Sequence, residues 1–84
     1  MTKKFESMID DACYGAIITW EGDVTTKANL KEFAYSEEIM GDCRCKFGKE
    51  IRFYGAEAIK KAISDYIDRW FPEYDDETEF EVYQ

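Results

Sequence analysis

The sequence predicts an α+β fold, a small three-stranded antiparallel sheet packed against helices in the order α-β-β-β-α, with an acidic C-terminal segment. Three observations predict it. Apolar residues recur at helical spacing near both ends of the chain, they alternate with polar ones over residues 42–54, and a short β-branched run at 15–21 sits between glycines. Antiparallel strands flanked by helices then form two layers, and residues 1–84 read as a single domain with no internal repeat or linker.

The first helix covers about residues 3–13. Phe5, Met8, Ile9, Ala12 and Cys13 share one face, Thr2 is placed to cap, and Gly15 is a stop. Gly15-Ala16-Ile17-Ile18-Thr19-Trp20-Glu21 is a strand ahead of the Gly22-Asp23 turn, after which Val24-Thr25-Thr26 could continue a hairpin. Asn29, with Glu32 three residues on, opens a short helix or helical turn near 29–38. In 42–54, Cys43, Cys45 and Phe47 alternate with charged residues, and so do Ile51 and Phe53. A two-residue loop would put these sets on opposite faces. An odd loop over Gly48–Glu50 pairs Phe47 with Ile51 and Cys45 with Phe53, making one face apolar. The last helix spans about 56–70, with Ile59, Ala62, Ile63, Tyr66, Ile67 and Trp70 in one stripe, and ends at Phe71-Pro72. Phe80, Val82 and Tyr83 are the residues that could pin the acidic end to the body.

With 84 residues the core must be thin, and fourteen aromatic side chains, each able to bury about 150–250 Å², supply much of it. Histidine is absent, which excludes Ser-His-Asp and Cys-His catalysis and histidine-ligated metals. The net charge is −8, and six acids without a base in residues 71–84 carry most of it. Such a chain is repelled by nucleic acid and by anionic membranes, so the expected partner is a basic protein. Cys13, Cys43 and Cys45 are too few and wrongly spaced for a zinc site and read as small buried thiols of a reducing compartment. No leader-like apolar segment opens the sequence and no apolar run reaches membrane-spanning length, so a soluble, cytoplasmic protein is expected.

No phosphate-binding, dinucleotide or nucleophile-elbow motif is present, and the acidic stretch lacks the glycine and oxygen spacing of a calcium loop. No catalytic, metal or cofactor site is expected. Glu73, Asp75, Asp76, Glu77, Glu79 and Glu81, interleaved with Tyr74, Phe80 and Tyr83, form instead a dense row of carboxylates. If extended, the nine residues from Glu73 to Glu81 would span roughly 30 Å, a linear charge within about a factor of two of one DNA strand. Carboxylates accept the same bidentate arginine bonds as phosphate or a guanine edge. The expected function is competition with nucleic acid for a basic groove, with Tyr74 as an aromatic anchor.

Phe47-Gly48-Lys49-Glu50, an amphipathic helix ending in Trp70, and Glu73-Tyr74-Asp75-Asp76-Glu77-Thr78-Glu79-Phe80 together resemble a small phage anti-CRISPR family that inhibits the type II-A RNA-guided nuclease. The resemblance covers roughly residues 47–80. It implies a three-stranded sheet with helices and a DNA mimic, serving host defence evasion, that blocks the surface where the nuclease reads the duplex motif beside its target. It also implies that Asp76 and Glu77 face motif-reading arginines and that Glu50 is an acid of the hairpin turn. Phe47 stands where the family has a second turn acid, and segment 24–46 is longer and more basic here. The alternative expectation is an acidic module, such as an antitoxin or accessory subunit, that docks on a basic protein without mimicking DNA.

Overall fold

The computed structural model describes residues 2–82, so the expected anchor Tyr83 lies outside the described residues. The order is α1 (Lys3–Thr19), β1 (Val24–Thr25), α2 (Lys27–Ala34), α3 (Glu37–Trp70) and β2 (Phe80–Glu81). Three helices and a two-stranded antiparallel ribbon replace the expected α+β layers. Val24 pairs with Glu81 and Thr25 with Phe80, so the only strand pairing among the described residues joins the segment after α1 to the segment after α3.

The expected strand at 15–21 is helical as far as Thr19 and both expected arms of the 42–54 hairpin are helical, and the reasons differ. The run 15–21 fails as a strand because the α1 stripe continues through it. Phe5, Met8, Ile9, Ala12, Cys13, Ala16 and Ile17 are all buried at steps of three and four, and burial outweighs the weak helix propensity of β-branched residues. Gly15 lies inside the helix, where a Cβ would sit 3.7 Å from Ile39 of α3, an ordinary contact. The helix ends where Trp20 leaves helical geometry, and Gly22, at φ 102, makes the turn. Thr2 caps the start as expected, its hydroxyl accepting from the Phe5 N–H at 3.1 Å.

The expected 42–54 hairpin, and with it the register argument, is overturned by the burial pattern. Residues 43, 47 and 51 are four apart, a spacing that satisfies both a period of two and a helical turn. The two readings differ at Cys45 and Phe53, which a sheet would bury. Cys45 is exposed and Phe53 is 82% exposed, while Ile39, Met40 and Cys43 are buried and Phe47 and Ile51 pack against the core. The stripe is therefore helical, though interrupted. Phe47 (φ −128, ψ 35) and Gly55 (φ 81, ψ 165) divide α3 into stretches 37–46, 48–54 and 56–70. These breaks let one long segment fold round α1, its principal packing partner.

Gly55 occupies a region essentially closed to residues with a Cβ, yet nothing lies within 4 Å of where that Cβ would sit. Gly55→Ala should therefore cost about 1–3 kcal/mol by backbone strain alone. Gly41, helical and equally open, should gain up to about 1 kcal/mol as alanine. Urea unfolding of the two variants measures both, and equal effects would contradict the break.

α2 starts two residues before the expected helix, because Thr26 and not Asn29 is the cap; its hydroxyl accepts from the Asn29 N–H at 3.2 Å. The last stretch of α3 buries Ile59, Ala62, Ile63 and Ile67 and ends at Trp70, next to the Phe71-Pro72 stop. Tyr66 is half-buried and Trp70 is exposed, stacked on each other with centroids 5.5 Å apart. Phe80 and Val82 are buried and fasten the C-terminal segment to the core.

Candidate functional site

Beyond α3 the chain must cross back to β1, and the acids of 73–79 lie on that crossing. An acidic segment would repel itself into an open coil unless something neutralised and anchored it. α2 supplies the anchor. Lys27 is only 5% exposed, which a lysine tolerates only with full compensation. Its ammonium donates to the Tyr74 carbonyl at 2.8 Å and pairs with Asp68 at 2.9 Å. One turn on, Lys31 bridges Asp68 and Asp76, each at 2.8 Å. The Asp76 carbonyl accepts from the Ala28 N–H at 3.1 Å, and the Val82 N–H donates to the Asp23 carbonyl at 2.8 Å. The Tyr74 and Phe71 rings each lie 4.6 Å from Phe80, Tyr74 nearly parallel to it.

Within the loop Asp75 acts on its own backbone. One carboxylate oxygen accepts from the Glu77 N–H at 3.0 Å and from both the N–H and hydroxyl of Thr78 at 2.7 Å, a local turn of the kind aspartate favours. The bonds from Thr78 and then Glu77 hold the Asp75 carboxyl below its ordinary range. The bonds from Lys31 and Lys27 do the same for Asp68. Burial works to lower Lys31, but its bonds to Asp68 and Asp76 outweigh that and raise it. For carboxyls depressed on folding, the stability they contribute is present above the unfolded value of about 3.9 and lost as pH falls through the folded values. Carboxyl titration by NMR should place Asp68 and Asp75 below that unfolded value; midpoints at or above it would mean the loop is not held this way.

The sequence-derived site residues thus divide. Asp75 and Asp76 are exposed but already engaged in the loop's architecture, and Tyr74 is half-buried as its anchor. The carboxylates of Glu73, Glu77 and Glu79 are exposed and have no ion-pair partner among the described residues. Glu81 is exposed on β2, opposite Val24. Glu50 is not with them. It is half-buried in α3 with its carboxylate 4.0 Å from Lys4 of α1, and the stretch 48–54 that would have held the hairpin turn is helical. Lys27, Lys31 and Asp68 were not legible as site residues. The one signal was two lysines a helical turn apart with no acid between them.

A groove of about 810 Å³ runs between α1 and the last stretch of α3, floored by Ile9 and Ala62. Of its carboxylates, Asp10 accepts from the Tyr66 hydroxyl, Asp65 pairs with Lys61 at 3.1 Å and Asp68 is held by the two lysines. Burial pushes the Cys13 thiol up to about 12, and burial also raises Cys43, so neither is poised as a thiolate. Among the described residues no group of three acid or thiol side chains is placed to hold a metal ion, and no helix is long and apolar enough to cross a membrane. No family model, curated protein or solved structure matches the chain.

Proposed function

We propose that this chain is a non-catalytic inhibitor that lays its acidic loop on the basic, nucleic-acid-binding groove of a partner protein and competes there with DNA. The observation that carries the reading is the anchoring of 73–81 by Lys27 and Lys31. It turns six clustered acids into a surface of fixed shape, which lowers the ordering cost of docking. Glu73, Glu77 and Glu79 are the carboxylates available to partner arginines and lysines, with Asp75, Asp76 and Glu81 adding to the field. A CRISPR effector nuclease in the host cytoplasm is the partner to which the resemblance points. That resemblance keeps its acidic segment but loses its hairpin, because 48–54 is helical.

Docking on a basic protein without DNA mimicry is favoured by one observation. Asp76 is committed to Lys31, so the adjacent pair Asp76–Glu77 offers one uncommitted carboxylate where a guanine-reading arginine pair would want two. Order of addition to a guide-loaded type II-A effector separates the readings. A mimic inhibits cleavage when added before target duplex, fails when added after, and weakens as salt rises. Inhibition independent of order would favour the module, and no inhibition at any salt would remove this effector as the partner.

A further inference from the structure

The most anomalous surface of the molecule is the short stretch 48–54 between the two breaks of α3. Phe53 is 82% exposed, far more than any other large apolar side chain among the described residues. Lys49 and Arg52 precede it by four and one positions, are both exposed, and have no ion-pair partner among the described residues. Four of the chain's eleven bases fall in 44–52, yet only Arg44 is neutralised nearby, by Glu37. The ring of Phe53 meets Tyr54 edge-on at 5.0 Å, and Tyr54 lies against buried Phe5 at 4.0 Å, so the exposed ring stands on a fixed base.

We propose that the chain self-associates head to tail, the basic elbow of one copy (Lys49, Arg52, Phe53) seating on the acidic loop of the next. Charge complementarity selects this occupant. The loop offers Glu73, Glu77 and Glu79 to the two cations, and half-buried Phe71 and Tyr74 offer an apolar edge to Phe53. A contact between identical elbows would oppose like charges, so elbow pairs with loop, and we take that pairing as head to tail and not as a reciprocal two-fold contact. A nucleic-acid strand needs a basic track along several phosphates, whereas this face is one helical turn long and exposed Glu57 follows it. Specific interfaces at the weak end of the range bury about 500–600 Å² per partner, which for this chain is about a tenth of its 5551 Å² surface. Because a heterologous contact need not close, association should continue past the dimer as concentration rises.

Sedimentation velocity tests this at rising protein concentration, in about 50 mM and about 500 mM salt. The weight-average mass should climb above 9.9 kDa at low salt and return to it at high salt. Lys49→Glu with Arg52→Glu, or Glu77→Lys with Glu79→Lys, should each leave a monomer, with circular dichroism confirming unchanged helix content. An equimolar mixture of two further variants, Phe53→Ser in one and Glu77→Gln with Glu79→Gln in the other, retains one intact elbow and one intact loop. It should stop at a one-to-one dimer while each variant alone stays monomeric. A monomer at every concentration, an oligomer that survives the elbow substitutions, or a mass increase seen only on adding an oligonucleotide would each overturn the proposal.

Discussion

Ile63→Ala and Ile67→Ala should each remove about 2–5 kcal/mol of stability, while Phe53→Ser should change it by less than about half a kcal/mol. Both isoleucines are essentially inaccessible in the last stretch of α3 and belong to the core that includes Phe5, Met8 and Cys13 of α1. Truncation there loses transfer free energy and leaves a cavity that so small a core cannot easily refill. Against a total of about 5–15 kcal/mol for a typical domain, either change could leave the chain largely unfolded. The Phe53 arm is what separates two architectures. In a hairpin over 42–54 that ring would be core, and losing it would cost about 3–5 kcal/mol; in the helix it is 82% exposed. Urea unfolding of the three variants decides, and a large loss from Phe53→Ser would restore the sheet.

Lys27→Ala should be the most damaging change to the loop. It strips the Tyr74 carbonyl of its donor and leaves Asp68 with Lys31 alone, and breaking a buried pair costs about 3–5 kcal/mol. The Asp68 side chain is 46% exposed, so water recovers part of this and about 2–3 kcal/mol is expected. The effect should be local as well as global. The Ala28 and Val82 amides, bonded to the Asp76 and Asp23 carbonyls, should exchange faster in the variant, while amides in the middle of α1 should slow or speed only with global stability. Uniform acceleration across the chain would mean that Lys27 supports the fold as a whole and does not specifically hold the loop.

Both terminal helices were legible because their stripes are long and have one period. The stripe Ile59, Ala62, Ile63, Tyr66, Ile67 and Trp70 mixes odd and even positions, which no strand face does, and Phe71-Pro72 marks the stop. The middle was ambiguous for a definite reason: apolar residues four apart, at 43, 47 and 51, fit both periods, and only the tertiary environment puts Cys45 and Phe53 outside. The first helix was cut short by giving Gly15 the weight of a terminator, although the apolar stripe continues past it through Ala16 and Ile17. The acidic segment was legible as a surface by composition alone. Its apolar pins Phe80 and Val82 were legible as well, but its anchoring by Lys27 and Lys31 was not, since these lie more than forty residues away in sequence and an ion-pair network of that span has no local signature.

The most direct test compares three proteins as competitors of target duplex for a guide-loaded type II-A effector, read by fluorescence anisotropy of the labelled duplex. The proteins are the wild type, Glu73→Gln with Glu77→Gln and Glu79→Gln, and Glu6→Gln with Asp11→Asn and Glu57→Gln. Both triple variants remove three exposed charges, but only the first removes them from the anchored loop. Truncating one side of a desolvated charge pair costs about 2–5 kcal/mol, so the loop variant should compete about a hundredfold or more less well, with the control close to wild type. Equal losses from the two variants would show that net charge alone acts, and undiminished competition by the loop variant would contradict the account outright.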